Sequence, residues 1–317
     1  MNLNSCKFVI FGVRKNYTTH THIHEAFYRI LKYAGREVYW VDTASELDNI
    51  DLDNTFFISE GHHTDIPILA DAFYAIHNLE DNPCEPVLKN VRNKFANWGL
   101  FDQSGTAGIK NVRGPYMALD PFSRYYPESN KLFLHWATDL TPEEIQANKT
   151  KAKLLNETSN RINWVGYVWP KNDLFTNYKQ LTNFERACHE QNIEFIPYGI
   201  KGRGVVSIEE NIRLVQESYF APALLGTYQV DAHYVPCRIF KNISYGQFGV
   251  TNSPTVNEFF GGNLICNTDC YQLFYDAKEQ LPTKTTTELY ELMDFVAEHH
   301  TYVNRINVML QAAKIIL

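Results

Sequence analysis

Arg238 and Lys241 stand three residues apart, so on a helix both cations project from one face. Pro236, just ahead of them, suits a first helical position, where its missing N–H is no loss. Gly246 suits the stop, where a left-handed residue is needed. Two cations near a helix start, where unpaired N–H groups point outward, suit a phosphate or diphosphate. The plainer reading of the same spacing is an amphipathic helix with a solvated Arg and Lys. The segment continues through Gly246–Val250 to Thr251, Asn252 and Ser253, which offer further donors.

A second group of chemically capable residues lies near the start of the chain. His20, His22, His24 and Glu25 alternate after an apolar run, and Glu60, His62, His63 and Asp65 follow another. His77 and Asn78 follow a third. Alternating histidines suit a metal, with Glu60, His62 and Asp65 completing the ligand set of a metal-dependent hydrolase. Against that, the run enters a helix, where alternate residues no longer share a face. The same residues also read as a polar loop, one member acting as base or substrate contact, or as surface and cap histidines.

The elements that position these residues alternate in type. Lys7–Val13, Glu37–Val41, Thr55–Ser59 and Ala72–Ile76 are short apolar runs expected as strands. Phe27, Ile30, Leu31 and Ala34 fall at helical spacing before Gly35. Lys131–Trp136 is expected as a last strand of the first half. A charged helix or linker from Thr141 to about Thr158 carries the domain boundary. Alternation resumes with strands at 162–168, 193–199, 219–225 and 263–266. Ser207/Glu210 and Thr285/Glu288 have capping-box spacing. This order implies βαβ units and parallel sheets, whose ligands sit at strand C-terminal ends. Residues 82–130 are punctuated by Pro and Gly. Trp98 and Arg124 lie there in aromatic-basic patches expected to contact an acceptor.

Composition narrows the class. The chain has 317 residues, long enough for two domains, and is 44% hydrophobic with 21% charged residues. Its net charge of −7 argues against a nucleic-acid partner held by a broad basic surface. No window approaches the ~20 apolar residues of a membrane span, and the apolar core of the N-terminus is too short for a signal peptide. Six scattered cysteines are expected as reduced thiols. A cytoplasmic location is the expectation.

With these elements and the 233–253 segment in place, the chain resembles the GT-B-fold glycosyltransferases. That stretch and His22–Phe27 carry the resemblance most specifically. It implies an α/β fold of two Rossmann-like domains with a cleft between them. An acceptor-side domain would span 1–150, with a C-terminal helix at 301–317 packing back on it. A nucleotide-sugar domain would span 158–300. The implied activity moves a sugar from a nucleoside-diphosphate sugar to a glycan or other hydroxyl acceptor, with no metal or other cofactor. Arg238 and Lys241 would hold the diphosphate, with Gly166, Tyr167, Arg203, His233, Tyr234, Thr251, Asn252 and Ser253 around it. His22, His24, Glu25 and Glu60 are the candidates for catalysis, and His62, Trp98 and Arg124 for the acceptor. Many retaining members carry glutamates where this chain has His233 and Lys241, which leaves the stereochemistry open. A sugar-nucleotide epimerase, a non-catalytic nucleotide-sugar-binding protein and the metal-dependent hydrolase are the competing readings.

Overall fold

The computed structural model describes residues 1–15, 20–60, 65–77, 88, 91–97 and 114–317. Contacts divide the chain into two compact units. One comprises Met1–Leu100, Val112–Asp139 and Tyr302–Leu317; the other, among the described residues, comprises Leu140–Thr301.

The first unit is built on β1 (Lys7–Phe11), β2 (Val38–Val41), β3 (Thr55–Glu60), β4 (Phe73–His77), β5 (Lys94–Asn97), β6 (Met117–Asp120), β7 (Ser123–Tyr126) and β8 (Lys131–Phe133). Their order is β2-β1-β3-β4-β5-β8-β7-β6. The first five strands and β8 are parallel, and β7 and β6 run antiparallel at one edge. Strands such as Phe8–Phe11 and Phe73–His77 are buried throughout, as a parallel sheet covered on both faces requires. The chain places β2 on one side of β1 and β3 on the other, so the strand order reverses there and opens a crevice at the strand ends. Helix Thr21–Tyr33 starts above that crevice. It buries Ile23, Ala26, Phe27, Ile30 and Leu31 on one face. The C-terminal helix Tyr302–Ile316 packs in the same unit, with the Tyr302 ring 4.5 Å from Phe27.

The second unit has β9 (Arg161–Val165) parallel to β10 (Glu194–Tyr198). A parallel set β11 (Pro222–Ala223), β12 (Val250–Thr251) and β13 (Ile265–Cys266) completes it. The strand expected over 219–225 is shorter, with only Pro222 and Ala223 pairing with β12. Instead the Asn163 N–H donates to Ser218 Oγ at 2.9 Å and the Tyr219 N–H donates to Arg161 O at 2.7 Å, joining β9 to the chain entering β11. Thr141 and Glu144 form a capping box, and helix Pro142–Asn148 belongs to this unit through Gln146 and Lys149, which both reach Asp294. Helices Pro254–Phe259 and Cys270–Gln280 fall in stretches to which the sequence assigns none; Ser253 and Asp269 cap them.

Candidate functional site

The helix carrying the two cations runs from Cys237 to Ser244, with Pro236 as its N-cap. It stops as predicted. Gly246 has φ +99°, its N–H reaches Ile243 O at 3.0 Å, and the Gln247 N–H reaches Asn242 O at 3.0 Å. Arg238 leaves this helix toward the C-terminal ends of two strands. Its Nε donates to Val165 O at 2.7 Å and its Nη1 to Leu224 O at 2.9 Å. The guanidinium lies 4.1 Å from the centroid of the Trp164 ring. It also closes on Gly166, where any Cβ would collide with Arg238 Nη2 and sit 2.7 Å from Trp164 Cη2. Glycine is therefore required at 166 so that the cation can sit at the mouth of β9. Burial lowers the Arg238 pKa to about 10, with Cys237 and Tyr234 acting in the opposite sense, so the group stays charged near neutrality.

Lys241, one turn further on, is buried at 7% exposure. Neither cation is a solvated surface charge, which removes the plainer reading of their spacing. Tyr234 is half-buried, and burial raises its phenol pKa. Tyr167 follows Gly166 at the end of β9, and Lys201 lies 5.5 Å over its ring.

Other expected donor-side residues are placed differently. Thr251, Asn252 and Ser253 are buried, and their side chains serve the fold. Thr251 Oγ1 donates to Ala223 O, and Asn252 exchanges two hydrogen bonds with the Leu225 backbone at 2.8 and 2.9 Å. Ser253 Oγ caps the next helix by accepting from the Val256 N–H. Arg203 pairs with Glu194 at 3.0 Å on an exposed surface. His233 is exposed, with φ +55°, and its Nδ1 is 2.8 Å from Thr255 Oγ1.

In the first unit, the crevice at the end of β1 forms a narrow recess. His20, His24, Ser59, His77, Trp136 and Met309 are among its lining residues. His24 Nδ1 is 3.1 Å from Gly12 O. A carbonyl only accepts, so Nδ1 carries the proton and Nε2 is the basic nitrogen of the neutral ring. Trp40 Nε1 shares the same carbonyl at 2.9 Å. Val13, β-branched with φ +50°, holds a strained turn directly after it, anchored by Thr21 Oγ1 donating to Val13 O at 2.9 Å. The rings of His20 and His77 are 5.2 Å apart, and His77 lies 4.8 Å from Trp136.

The recess thus gathers His24 with His20 and His77 rather than with His22 and Glu25, which lie on the helix outside the recess-lining set. A helix turns 100° per residue, so residues 20, 23, 24 and 27 share a face that 22 and 25 leave. The strand-end position of His77 was the available signal for it. Glu60 closes β3 opposite His77, with its side chain outside the described set. His62, His63 and Trp98 lie outside the described residues. Asp65 accepts from the Ala44 N–H at 3.2 Å. Among the described residues, no three His, Cys, Asp or Glu side chains gather into a group that could hold a metal ion. Arg124 packs against Tyr116, 5.1 Å from its ring centroid, at the β7 edge of the sheet. No helix among the described residues is long and apolar enough to cross a membrane.

No protein-family model matches the chain, and no curated protein is significantly similar in sequence. Solved structures are similar in fold. An alpha-glucosyltransferase in complex with UDP and a 13-mer DNA containing an HMU base matches with a TM-score of 0.63 and 12% identity, over 98% of this chain and 100% of that one. An alpha-glucosyltransferase in complex with UDP matches at 0.58 and 10%, over 94% and 97%. An alpha,alpha-trehalose-phosphate synthase from Burkholderia xenovorans, in complex with glucose-6-phosphate, matches at 0.51 and 10%, over 94% and 79%. The chain has the GT-B fold, an α/β architecture of two Rossmann-like domains. One expectation is corrected. A net charge of −7 argues against a nucleic-acid partner, yet the similar alpha-glucosyltransferase structures include DNA complexes. Net charge sums the whole surface, whereas DNA responds to the local field of a few placed cations.

Proposed function

We propose that the chain is a glycosyltransferase that moves a sugar from a nucleoside-diphosphate sugar, UDP-linked, to a hydroxyl acceptor. The observation that carries this reading is the Arg238 guanidinium, fixed between the ends of β9 and β11 against a glycine, in a GT-B fold. As the bond from sugar to diphosphate breaks, negative charge grows on the leaving oxygen. A cation already held in place stabilises that charge without reorganising during the step. Arg238, with the buried Lys241 on the same helix, fills this role without a metal ion in this reading.

On the acceptor side, the reading places His20, His24 and His77 around the reacting hydroxyl. A neutral imidazole within hydrogen-bond reach can take its proton if the reaction inverts. In a retaining reaction the same rings orient the hydroxyl, and a leaving-group oxygen takes the proton. The DNA complexes of the alpha-glucosyltransferases support a DNA base hydroxyl as the acceptor. A cytoplasmic location belongs to the same reading; the described cysteines are free.

The test incubates the protein with UDP-glucose and a 13-mer DNA containing an HMU base, with and without a chelator, and measures release of UDP and the mass of the DNA. Glucosylated DNA and undiminished turnover in chelator are expected. Absence of UDP binding by calorimetry would refute the donor reading, and loss of turnover in chelator would refute metal independence.

A further inference from the structure

Beyond β9 the chain makes a turn held by Asn177, which is buried. Asn177 Nδ2 donates to Tyr167 O at 2.9 Å, and its Oδ1 accepts from the Trp169 N–H at 3.0 Å. The turn displays a row of rings. Tyr167 and Trp169 have centroids 4.1 Å apart with planes 33° from parallel, Trp169 and Phe175 are 5.3 Å apart, and Phe175 meets Tyr228 edge-on at 4.8 Å. All four side chains are partly exposed. Leu174, on the same turn, is 63% exposed. Lys201 stands over Tyr167, and Lys171 over Tyr178 at 5.6 Å.

A core would bury these rings, whereas this turn spends a buried asparagine on holding them partly in water. Flat apolar faces beside ammonium groups match a nucleobase and its flanking phosphates, since bases stack on aromatic rings and cations meet the backbone. Tyr167 directly follows the glycine on which Arg238 rests, so the row starts beside the diphosphate cation.

We propose that Trp169 and Tyr167, with Lys201, form a stacking platform for a nucleobase of a nucleic-acid acceptor. The proposal rests on the reading of the acceptor as DNA. Its test measures binding of a fluorescently labelled 13-mer DNA containing an HMU base by anisotropy, and binding of UDP by calorimetry, on the full chain. Trp169→Ala should weaken DNA binding about tenfold, Trp169→Phe should restore most of it, and both should bind UDP as the wild type does. Lys201→Gln, on an exposed loop, should weaken DNA binding and reduce the salt dependence by about one phosphate contact, independently of any folding defect in Trp169→Ala. If the wild type binds DNA and all three variants bind it equally well, the platform is refuted and the acceptor reading stands. If UDP affinity falls and DNA affinity does not, the rings belong to the donor. If the wild type binds no DNA, the acceptor reading fails and the platform with it.

Discussion

Replacing Arg238 by alanine should damage folding and donor binding together, by separable amounts. In the free protein the guanidinium makes two charged hydrogen bonds to carbonyls at 2.7 and 2.9 Å, each worth about 1.5–3 kcal/mol. Its position over Trp164 adds about 0.5–2 kcal/mol. Burial of the charge, visible in a pKa lowered to about 10, offsets roughly half of that gain. A net loss of about 2–3 kcal/mol follows, which lowers the Tm of a unit of this size by about 4–12 °C. Loss of a direct bond to phosphate costs about 1.5–3 kcal/mol more in the complex, or about ten- to hundredfold in Kd for UDP. Scanning fluorimetry without ligand reads the first effect and calorimetry with UDP the second. Arg238→Lys keeps the charge and loses the fork, so it should retain more UDP affinity than stability. An unchanged UDP affinity in Arg238→Ala would refute the phosphate role, and an unchanged Tm without ligand would refute the clamp.

Gly166→Ala places a methyl group where Arg238 Nη2 now lies, so UDP affinity should fall about as far as in Arg238→Ala. Gly246→Ala is the contrast: its φ of +99° and a Cβ 3.0 Å from Ala152 Cα predict a stability loss of about 1–2 kcal/mol with UDP affinity intact, read from urea melts and calorimetry. His77→Gln should lower kcat about a hundredfold and leave the UDP Kd unchanged; equal kcat would remove His77 from the acceptor site. His135 is 9% exposed, and burial first, then Arg305 and Arg124, lowers its pKa to about 3. The unfolded chain therefore takes up this proton first, so stability should fall as pH drops below about 6.5, by up to about 1.4 kcal/mol per pH unit. His135→Gln should flatten denaturant midpoints between pH 6.5 and 5 relative to wild type, and parallel curves for the two would refute this assignment.

The parts of this molecule legible in the sequence are those set by short-range rules. The stop at Gly246 and the capping box Thr285/Glu288 depend on residues within a turn of one another, and they form as spaced; Ser207 caps its helix, but Glu210 turns to Arg213 and the second half of that box does not form. The strand expected over 219–225 is longer than the one observed because apolar composition does not show which residues pair: only Pro222 and Ala223 join β12, and Tyr219 bonds β9 instead. The site divides in the same way. Arg238 and Lys241 announce themselves by spacing, but only the folded chain shows that Val165 O, Leu224 O and Gly166 meet the guanidinium, from positions 73, 14 and 72 residues away. Thr251, Asn252 and Ser253 look like ligand donors because short polar side chains at a strand end can serve either a ligand or the backbone. Here they serve the backbone: Thr251 and Asn252 bond Ala223 and Leu225 around the two-residue strand β11, and Ser253 caps the next helix. A strand too short to close its own ladder recruits the side chains at its end. Arg238 also bonds the backbone at strand ends: its guanidinium donates to Val165 O at the end of β9 and to Leu224 O just after β11, and in doing so a positive charge is fixed there. The cation proposed to hold the diphosphate is therefore placed by the two backbone carbonyls it bridges, which is why stability and donor affinity should fall together when it is removed.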